Sequence, residues 1–380
     1  MKILVMYDYP PPPGGLATQG DMLYRGLVEL GADVCPVSFE SPQEKEWYFR
    51  WFKPDVAVGV GYWGYVPHLV LHPRKFGVTA VPWLVADGYI ANYMDVLNSL
   101  PLVLVTSNWV KEVYVRDGMN GSKVEVLPVG SDMDAFHPFD PADPRILAVR
   151  EGLNVPPDKL MILTVGGDAA SKGSQEVMQA LGRIDKKVPD WRYVCKVWPQ
   201  PRTQIQNNLD MQLAKQLGIH DKVIYAAGVV SRNFMPHLIA SCDIYAAPSR
   251  LEGFGMPMVE AGACEKPVLS MRAMGMLDTL VHGKTALLVG IGKEIRISET
   301  ILGEESGFEP GHRVVFSPPR VSDYRASVDD IAEHLLTLMT QPELRKKMGQ
   351  AARKRVVELF DYRVVAKRLI QILTDRLGLR

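Results

Sequence analysis

The sequence predicts an α/β protein made of two doubly wound, Rossmann-like domains that face each other across an interdomain cleft. Short β-branched runs alternate with helical patterns on both sides of a Pro- and Asp-rich stretch at 137–159. Such runs, separated by crossover helices, are typical of parallel strands covered on both faces. The 380 residues also suffice for about two to three domains of ordinary size.

The first series of elements runs from the N-terminus to the Pro- and Asp-rich stretch. Lys2–Tyr7 is a compact apolar strand, and leucines at helical spacing follow it until Gly31. Ser107 is a predicted N-cap for a helix ending near Gly118. Further strands are predicted at 33–37, 55–60, 78–85, 102–106 and 124–129.

A second series with the same rhythm follows the Pro- and Asp-rich stretch, which we interpret as a hinge. Its strands are predicted near 160–165, 193–197, 223–225, 244–247, 268–269 and 286–289. We therefore place one domain at 1–145 and the other at 146–361. Residues 290–325 fit the rhythm poorly and are predicted to form a long insertion or small hairpin on the second domain. The final helix, 362–380, is expected to pack back on the first domain.

Charge and cysteine content exclude several classes of protein. The 43 Lys and Arg residues balance 43 Asp and Glu residues, which argues against a nucleic-acid partner because that partner usually requires a basic excess. The four cysteines show neither CxxC nor metal-ligand spacing, as expected of buried thiols in a reducing compartment. With neither a leader pattern nor a long apolar run, the expected location is cytoplasmic.

The most informative segment is 248–263, which follows a predicted buried strand. Gly253 and Gly255 allow a tight turn, and Pro257 suits the first turn of a helix. A helix that begins at the C-terminal end of a strand presents free N–H groups and the positive end of its dipole. The segment therefore predicts an anion site matched to phosphate.

Two glutamates flank this turn, Glu252 before the helix and Glu260 inside it. A carboxylate accepts hydrogen bonds from a vicinal diol, so both are candidates for binding sugar hydroxyls. The competing interpretation is a helix with two solvated glutamates, which the apolar surroundings disfavour.

Two glutamates separated by seven residues around a GFG-x-P core resemble the EX7E signature of the retaining glycosyltransferases of family GT4, which have the GT-B fold. The resemblance extends over nearly the whole chain in order. Its further blocks lie at 13–15, 102–113, 126–130, 163–173, 243–263 and 278–289.

The resemblance implies roles at matching positions of the second domain, which would bind the nucleotide-sugar donor. Glu260 would bind the ribose hydroxyls, Glu252 the hydroxyls of the transferred sugar, and Lys172 would neutralise the leaving diphosphate. A solvated surface lysine is the alternative for Lys172. The backbone that would meet the sugar and diphosphate is that of Phe254, Gly255 and Met256.

In the first domain, the acceptor side, the resemblance implies that Gly14 and Gly15 approach the phosphates. Asp87 matches the aspartate of a catalytic-site His-Asp pair, but Ala86 stands where the family carries the histidine.

A second departure lies in the donor domain, where Gly167 replaces an arginine that usually contacts the diphosphate. One contact to the diphosphate is therefore missing, or another cation, Arg250 or Arg232, replaces it.

The function implied by the resemblance is transfer of a hexose, with retention of configuration, from a nucleoside-diphosphate sugar to an acceptor hydroxyl. Positioning and charge stabilisation would do most of the catalytic work. Two alternatives stay open: a sugar-nucleotide epimerase on the same fold, and a binding protein with a decayed site. Neither a cofactor nor a metal is expected. The acceptor would be a small molecule, a glycan or a lipid-linked sugar.

Several other patterns are weaker. Asp132 and Asp134 form a DxD sequence that is interpreted as a solvated turn, because two carboxylates alone are a poor metal cage. Aromatic side chains at 62–65 and 83–93 could stack on a sugar or lipid or simply pack. The basic helix at 343–358 is expected to be a solvated face, with membrane-surface contact as the weaker option.

Overall fold

The computed structural model describes residues 1–86 and 88–379. The chain divides into two compact units, each assembled from separate stretches of sequence. Unit 1 consists of Met1–Asp132, Arg296–Ser322 and Leu359–Arg380, and unit 2 of Met133–Ile295 and Asp323–Glu358. The division therefore falls before the Pro- and Asp-rich stretch, whereas the sequence placed the boundary within it, between 145 and 146.

Unit 1 is built on a parallel sheet with helices between its strands. The strands are β1 (Lys2–Tyr7), β2 (Asp33–Ser38), β3 (Val56–Tyr62), β4 (Thr79–Val85), β5 (Val103–Val105) and β6 (Val124–Val126). The helices are α1 (Gly15–Glu29), α2 (Pro42–Trp51), α3 (His72–Lys75), α4 (Met94–Asn98) and α5 (Asn108–Arg116). The strand order is β2-β1-β3-β4-β5-β6, so the chain changes direction across the sheet between β1 and β3.

Local sequence explains where these elements begin. The β1 and β3 strands are almost wholly buried, as their continuous apolar runs require. The Ser107 hydroxyl caps α5 by accepting the N–H of Val110 at 3.2 Å, at the predicted position. Ser41 caps α2 in the same way and is followed by Pro42.

Unit 2 repeats this design with a different strand order. Its strands are β7 (Leu160–Val165), β8 (Trp191–Val197), β9 (Val223–Ala227), β10 (Ile244–Ala247), β11 (Val268–Met271) and β12 (Ala286–Val289). Its first helices are α6 (Pro144–Gly152), α7 (Ser174–Ile184), α8 (Pro201–Gln216), α9 (Met235–Ala240), α10 (Met256–Ala263) and α11 (Met276–Thr279). The order β12-β11-β10-β7-β8-β9 places the change of direction between β7 and β10.

The remaining elements follow β12. They are the strands β13 (Ile291–Leu302) and β14 (His312–Ala326) and the helices α12 (Val328–Thr340), α13 (Pro342–Phe360) and α14 (Tyr362–Leu377). β13 and β14 pair with each other as a two-stranded hairpin. The predicted insertion at 290–325 is this hairpin, and its residues 296–322 belong to unit 1.

The last helix, α14, packs on α1 inside unit 1. Two glycines make the close approach possible: a Cβ on Gly26 would lie 2.7 Å from the carbonyl oxygen of Tyr362, and one on Gly130 would lie 2.6 Å from the Cα of Tyr362. Backbone atoms cannot rotate away from such a contact. Only glycine therefore fits at positions 26 and 130, where the start of α14 packs on unit 1.

The predicted fold class, two doubly wound α/β domains with parallel sheets, is confirmed. Three of the four cysteines, Cys195, Cys242 and Cys264, are buried as free thiols. Among the described helices, none has the length and apolar content needed to cross a bilayer.

We expect Gly130→Ala to reduce the free energy of unfolding by roughly 1–3 kcal/mol, because the new methyl group overlaps the Tyr362 backbone. Urea unfolding followed by circular dichroism measures the change. Gly152→Ala is the control, since the space beside Gly152 at the end of α6 holds no described atom within 4 Å. Equal losses in the two variants would contradict the close-packing argument.

Candidate functional site

The candidate site of unit 2 is formed where β7 and β10 end side by side. The segment after β7 and the segment after β10 are joined by a hydrogen bond from the N–H of Arg250 to the carbonyl oxygen of Ser171, at 2.9 Å. Gly173 has φ +83°, and a Cβ there would lie 2.5 Å from the carbonyl oxygen of Pro248. The two loops therefore pack backbone against backbone.

Lys172 and Glu252 meet at this junction. The Lys172 ammonium donates to Glu252 Oε2 at 2.7 Å, and Glu252 Oε1 accepts the N–H of Gly255 at 3.1 Å. Both side chains are largely buried, with 24% and 18% of their surface exposed. Burial acts to raise the pKa of Glu252, but Lys172 and backbone N–H groups outweigh it, so this pKa lies below its ordinary value. Glu252 is thus ionised at neutral pH.

The helix α10 begins directly after this pair. Gly255 occupies the N-cap position with φ +86°, and Pro257 lies in the first turn, as the sequence predicted. Phe254 is buried, with 4% of its surface exposed, and Met256 is the first helical residue. The turn therefore presents the start of a helix at the C-terminal edge of the sheet, which favours an anion.

Glu260 lies inside α10 with 2% of its surface exposed. Its Oε1 forms an ion pair with Nη2 of Arg232 at 2.7 Å. Burial raises the pKa of Glu260, and Arg232 opposes that shift only in part. For this buried carboxylate to accept hydroxyl groups of a ligand, the ion pair with Arg232 must rearrange.

Arg250, predicted as a substitute cation for the diphosphate, is held by neighbouring side chains. Its Nη2 donates to Gln175 at 2.9 Å and to both oxygens of Glu176 at 3.2 Å. Arg325 approaches the same carboxylate, with Nη1 at 3.5 Å. Arg250 therefore supports the loop that carries Glu252 and is not turned toward the Lys172 pair.

At Gly167, where the resemblance implies an arginine, the Trp198 ring occupies the adjacent space. A Cβ on Gly167 would lie 3.4 Å from the Trp198 ring. Close by, Lys196 pairs with Val165 in the β7–β8 register and is 6% exposed, and burial lowers the pKa of its ammonium. Sequence reasoning missed Lys196, because a lysine within an apolar strand run gives no sign of which face it occupies.

Sequence reasoning also missed Glu176 and the pairing of Arg232 with Glu260. The only signal for Glu176 is an acidic residue in the first turn of α7, which is common in helices. Contacts between residues so far apart in sequence cannot be inferred from spacing alone.

In unit 1, Gly14 is the N-cap of α1 and Gly15 its first residue. A Cβ on either would meet no described atom within 4 Å, so the backbone is open to a ligand at this helix start. Ala86, in place of the family histidine, is 2% exposed after β4. Asp87 lies outside the described residues.

The DxD sequence was predicted to form a solvated turn, and Asp134 is exposed, but Asp132 is buried. Asp132 accepts from Nη1 of Arg25 at 2.9 Å. In the described part of the chain, no group of three or more His, Cys, Asp or Glu side chains is arranged to hold a metal ion.

The basic helix α13 is not uniformly solvated. Arg345 donates to the carbonyl oxygen of Leu338, Arg353 to that of Phe136, and Arg355 to that of Asp278. These three arginines anchor the helix to the rest of unit 2, which leaves the lysines at 346, 347 and 354 as its exposed cations.

Comparison with known proteins agrees with the sequence pattern. Residues 147–302, which contain the Lys172 and Glu252 loops, match the family described as glycosyl transferases group 1. Over this segment, the chain is similar to the group 1 glycosyl transferases.

Among group 1 glycosyltransferases, the D-inositol 3-phosphate glycosyltransferase of Xylanimonas cellulosilytica is 27% identical over 246 residues, covering 64% of this chain and 58% of that protein. The MMP α-(1→4)-mannosyltransferase of Mycolicibacterium hassiacum is 24% identical over 317 residues, covering 81% of this chain and 63% of that protein. The chain thus spans less than two thirds of these curated relatives.

A solved structure extends the likeness over the whole chain. Anabaena HepE in complex with UDP and glucose superposes with a TM-score of 0.73 at 16% identity, covering 99% of this chain and all of that one. At this identity the likeness establishes the fold, which is of the GT-B type.

We expect Lys172→Met to lose about 3 kcal/mol of stability near pH 7, because Glu252 then stays buried without its cation. The folded-state pKa of Glu252 is lowered, so the pair's contribution is present above the unfolded value of 4.5 and lost as pH falls through the folded value. The deficit of the variant should therefore shrink toward about pH 4. Melting temperature as a function of pH measures it.

The matched control for that series is Lys172→Met combined with Glu252→Gln, which removes both charges. Its stability relative to the parent should recover near pH 7. A deficit of Lys172→Met that is independent of pH would contradict the coupling of the two side chains.

Proposed function

We propose that this chain is a retaining glycosyltransferase that moves a hexose from a nucleoside-diphosphate sugar to an acceptor hydroxyl. The observation that carries the proposal is the meeting of Lys172 and Glu252, 80 residues apart in sequence, at 2.7 Å beside the start of α10. A cation, a helix N-terminus and a carboxylate together suit a sugar linked to a diphosphate.

Unit 2 contains a suitable binding group for each part of the donor. The buried carboxylate of Glu260 suits the two ribose hydroxyls, which would take the place of Arg232 as its partners. Lys172 and the backbone from Phe254 to Met256 suit the diphosphate. Glu252 suits a hydroxyl of the hexose, since its carboxylate is held ionised and remains an acceptor.

The reaction breaks the bond between the anomeric carbon and the departing phosphate oxygen, and the acceptor oxygen forms a new bond on the same face of the sugar. The leaving phosphate takes the acceptor's proton, so no protein base is needed. Lys172 stabilises the negative charge that grows on the phosphate, and no cofactor or metal enters the reaction.

Unit 1 would bind the acceptor. Gly14 and Gly15 open the start of α1 to phosphate, and Asp87 is proposed to act near the acceptor hydroxyl. The enzyme would work in the cytoplasm on a small-molecule, glycan or lipid-linked acceptor, with contact to a membrane surface in the last case. The relatives described above are named as transferases, which gives the epimerase alternative no support.

Nucleotide binding tests the role of Glu260. Among UDP, GDP and ADP, one should raise the melting temperature, and its 2′,3′-dideoxy analogue should bind roughly 10- to 100-fold more weakly because it cannot donate to a carboxylate. In Glu260→Ala the affinities for the two ligands should become equal. Isothermal titration calorimetry measures both. A full dideoxy penalty in the variant would assign the diol to another residue.

The stereochemistry of donor cleavage tests retention. An α-linked nucleotide sugar hydrolysed slowly by the enzyme should first release the α-anomer, seen by proton NMR before mutarotation. Lys172→Ala should slow cleavage about 100-fold or more, since the leaving group loses its cation. The β-anomer as first product would show inversion, and a new sugar still linked to nucleotide would indicate an epimerase.

A further inference from the structure

The proposed donor site leaves the hairpin of β13 and β14 without a role. Its residues 296–322, called here the hairpin tip, belong to unit 1, whereas the rest of the hairpin belongs to unit 2. A two-stranded ribbon is marginally stable on its own in water. The hairpin tip must therefore gain its order from the surface of unit 1 on which it lies.

Hydrogen bonds from two loops of unit 1 hold the hairpin tip. Tyr62, the last residue of β3, donates its hydroxyl hydrogen to the carbonyl oxygen of Glu305 at 2.9 Å. Asn92, after β4, donates from Nδ2 to the carbonyl oxygens of Ser306 and Gly307 at 3.1 and 3.3 Å. Both contacts are made to backbone carbonyl oxygens of the tip.

Side-chain packing adds to these hydrogen bonds. The Phe316 ring lies 4.8 Å from that of Tyr89, centroid to centroid, and Phe316 is 8% exposed. Arg320 donates from Nε to Asp117 at 3.0 Å, and the Asp117 side chain is 3% exposed. The hairpin tip is thus docked by apolar, ionic and hydrogen-bonded contacts together.

Gly307 shows how closely the tip follows this surface. Its φ is +76°, and a Cβ there would lie 1.8 Å from the Tyr93 hydroxyl oxygen. Any side chain at this position would push the tip away from unit 1.

The docked tip borders the crevice of the unit 1 sheet. In open α/β sheets ligands bind beyond the C-terminal ends of the strands, where the strand order changes direction. In unit 1 that place lies between the ends of β1 and β3. Tyr62 ends β3 and holds the tip, so the tip forms a wall next to this crevice.

The chemistry of the crevice is that of carboxylates and aromatic rings. Asp8 follows β1, and burial together with the nearby Glu40 raises the pKa of its carboxyl. Tyr65 lies within electrostatic reach of Asp8, Glu40 and Tyr62. Carboxylates accept hydrogen bonds from sugar hydroxyls, and aromatic faces stack on the apolar faces of sugar rings.

Charge disfavours a phosphorylated ligand at this edge. The hairpin tip carries four exposed carboxylates against two exposed arginines, Arg296 and Arg313. Glu299 is paired with Arg313, which leaves the carboxylates of Glu304, Glu305 and Glu309 near the turn. The nearby Lys45 cannot offset them, because it is fully buried and donates to the carbonyl oxygen of His68. Arg320 is already paired with Asp117.

We infer that the hairpin tip forms one wall of the acceptor site and selects an uncharged sugar or polyol over its phosphorylated form. This inference rests on the proposed function, since it concerns the acceptor of the same transfer. It sets this chain apart from the relative named for D-inositol 3-phosphate.

The test uses the donor whose nucleotide binds best, with two matched acceptor pairs. These are myo-inositol against D-inositol 3-phosphate, and methyl α-mannoside against mannose 6-phosphate. We expect kcat/KM to be at least about 10-fold higher for the uncharged member of a pair. Higher kcat/KM for the phosphorylated members overturns the inference, as does the absence of transfer to every uncharged acceptor while the donor is bound and hydrolysed.

The role of the tip's charge is tested by changing Glu304, Glu305 and Glu309 together to Gln. In this variant, kcat/KM for the phosphorylated acceptor should rise, so the ratio of kcat/KM values that favours the uncharged acceptor should fall about 10-fold. Changing Glu333, Glu343 and Glu358 to Gln removes three exposed carboxylates from α12 and α13 and should leave the preference unchanged. An unchanged preference in the tip variant overturns the assignment.

Gly307→Val tests the wall itself. It should undock the tip, seen as faster hydrogen exchange at 303–309, and raise KM for the uncharged acceptor about 10-fold with unchanged nucleotide Kd. A structural role alone would not separate acceptor KM from nucleotide Kd. If the tip undocks in this variant and the acceptor KM stays unchanged, the inference is overturned. If the parent protein binds no nucleotide, the proposed function itself is refuted.

Discussion

The candidate donor site depends on the change of strand direction between β7 and β10. Because these neighbours are parallel, their C-terminal ends lie at one edge of the sheet, and the loops that follow them must pack together. The loops are joined at Arg250 and Ser171, and Gly173 is pressed against Pro248. Lys172 and Glu252 are therefore positioned by buried strands, so the geometry of the pair is as rigid as the core beneath it.

The same edge carries an unusual amount of buried charge. Glu252 faces Lys172, Glu260 faces Arg232, and Glu176 faces Arg250. Removing such charges from water costs several kcal/mol per ion, and apolar residues of similar size would often be at least as stable. Stability therefore does not explain why three cation–carboxylate pairs are retained beside one helix start. The proposed binding of a ligand with both hydroxyl and phosphate groups would explain the pairs of Glu252 and Glu260, whereas Glu176 and Arg250 support the loop that carries Glu252.

The fold and the centre of the site could be predicted from sequence because both leave local patterns. Apolar runs marked the strands, and the glycines and Pro257 marked the turn before α10. The partner of Glu260 could not be predicted, because Arg232 lies in a separate loop and its pairing leaves no periodic trace. The hairpin was equally hidden: β13 is largely exposed, so its sequence lacks the alternation that identifies a half-buried strand. Its attachment to unit 1 depends on backbone carbonyls, which every sequence has.

The hairpin also joins the two candidate sites through one short piece of chain. In unit 1, Arg320 is fixed to Asp117. A few residues later, in unit 2, the N–H of Tyr324 donates to the carbonyl oxygen of Arg250 at 2.9 Å. Both anchors lie on the single strand β14. Its earlier residues therefore form part of the proposed acceptor wall in unit 1, and its later residues contact the loop of unit 2 that carries Glu252.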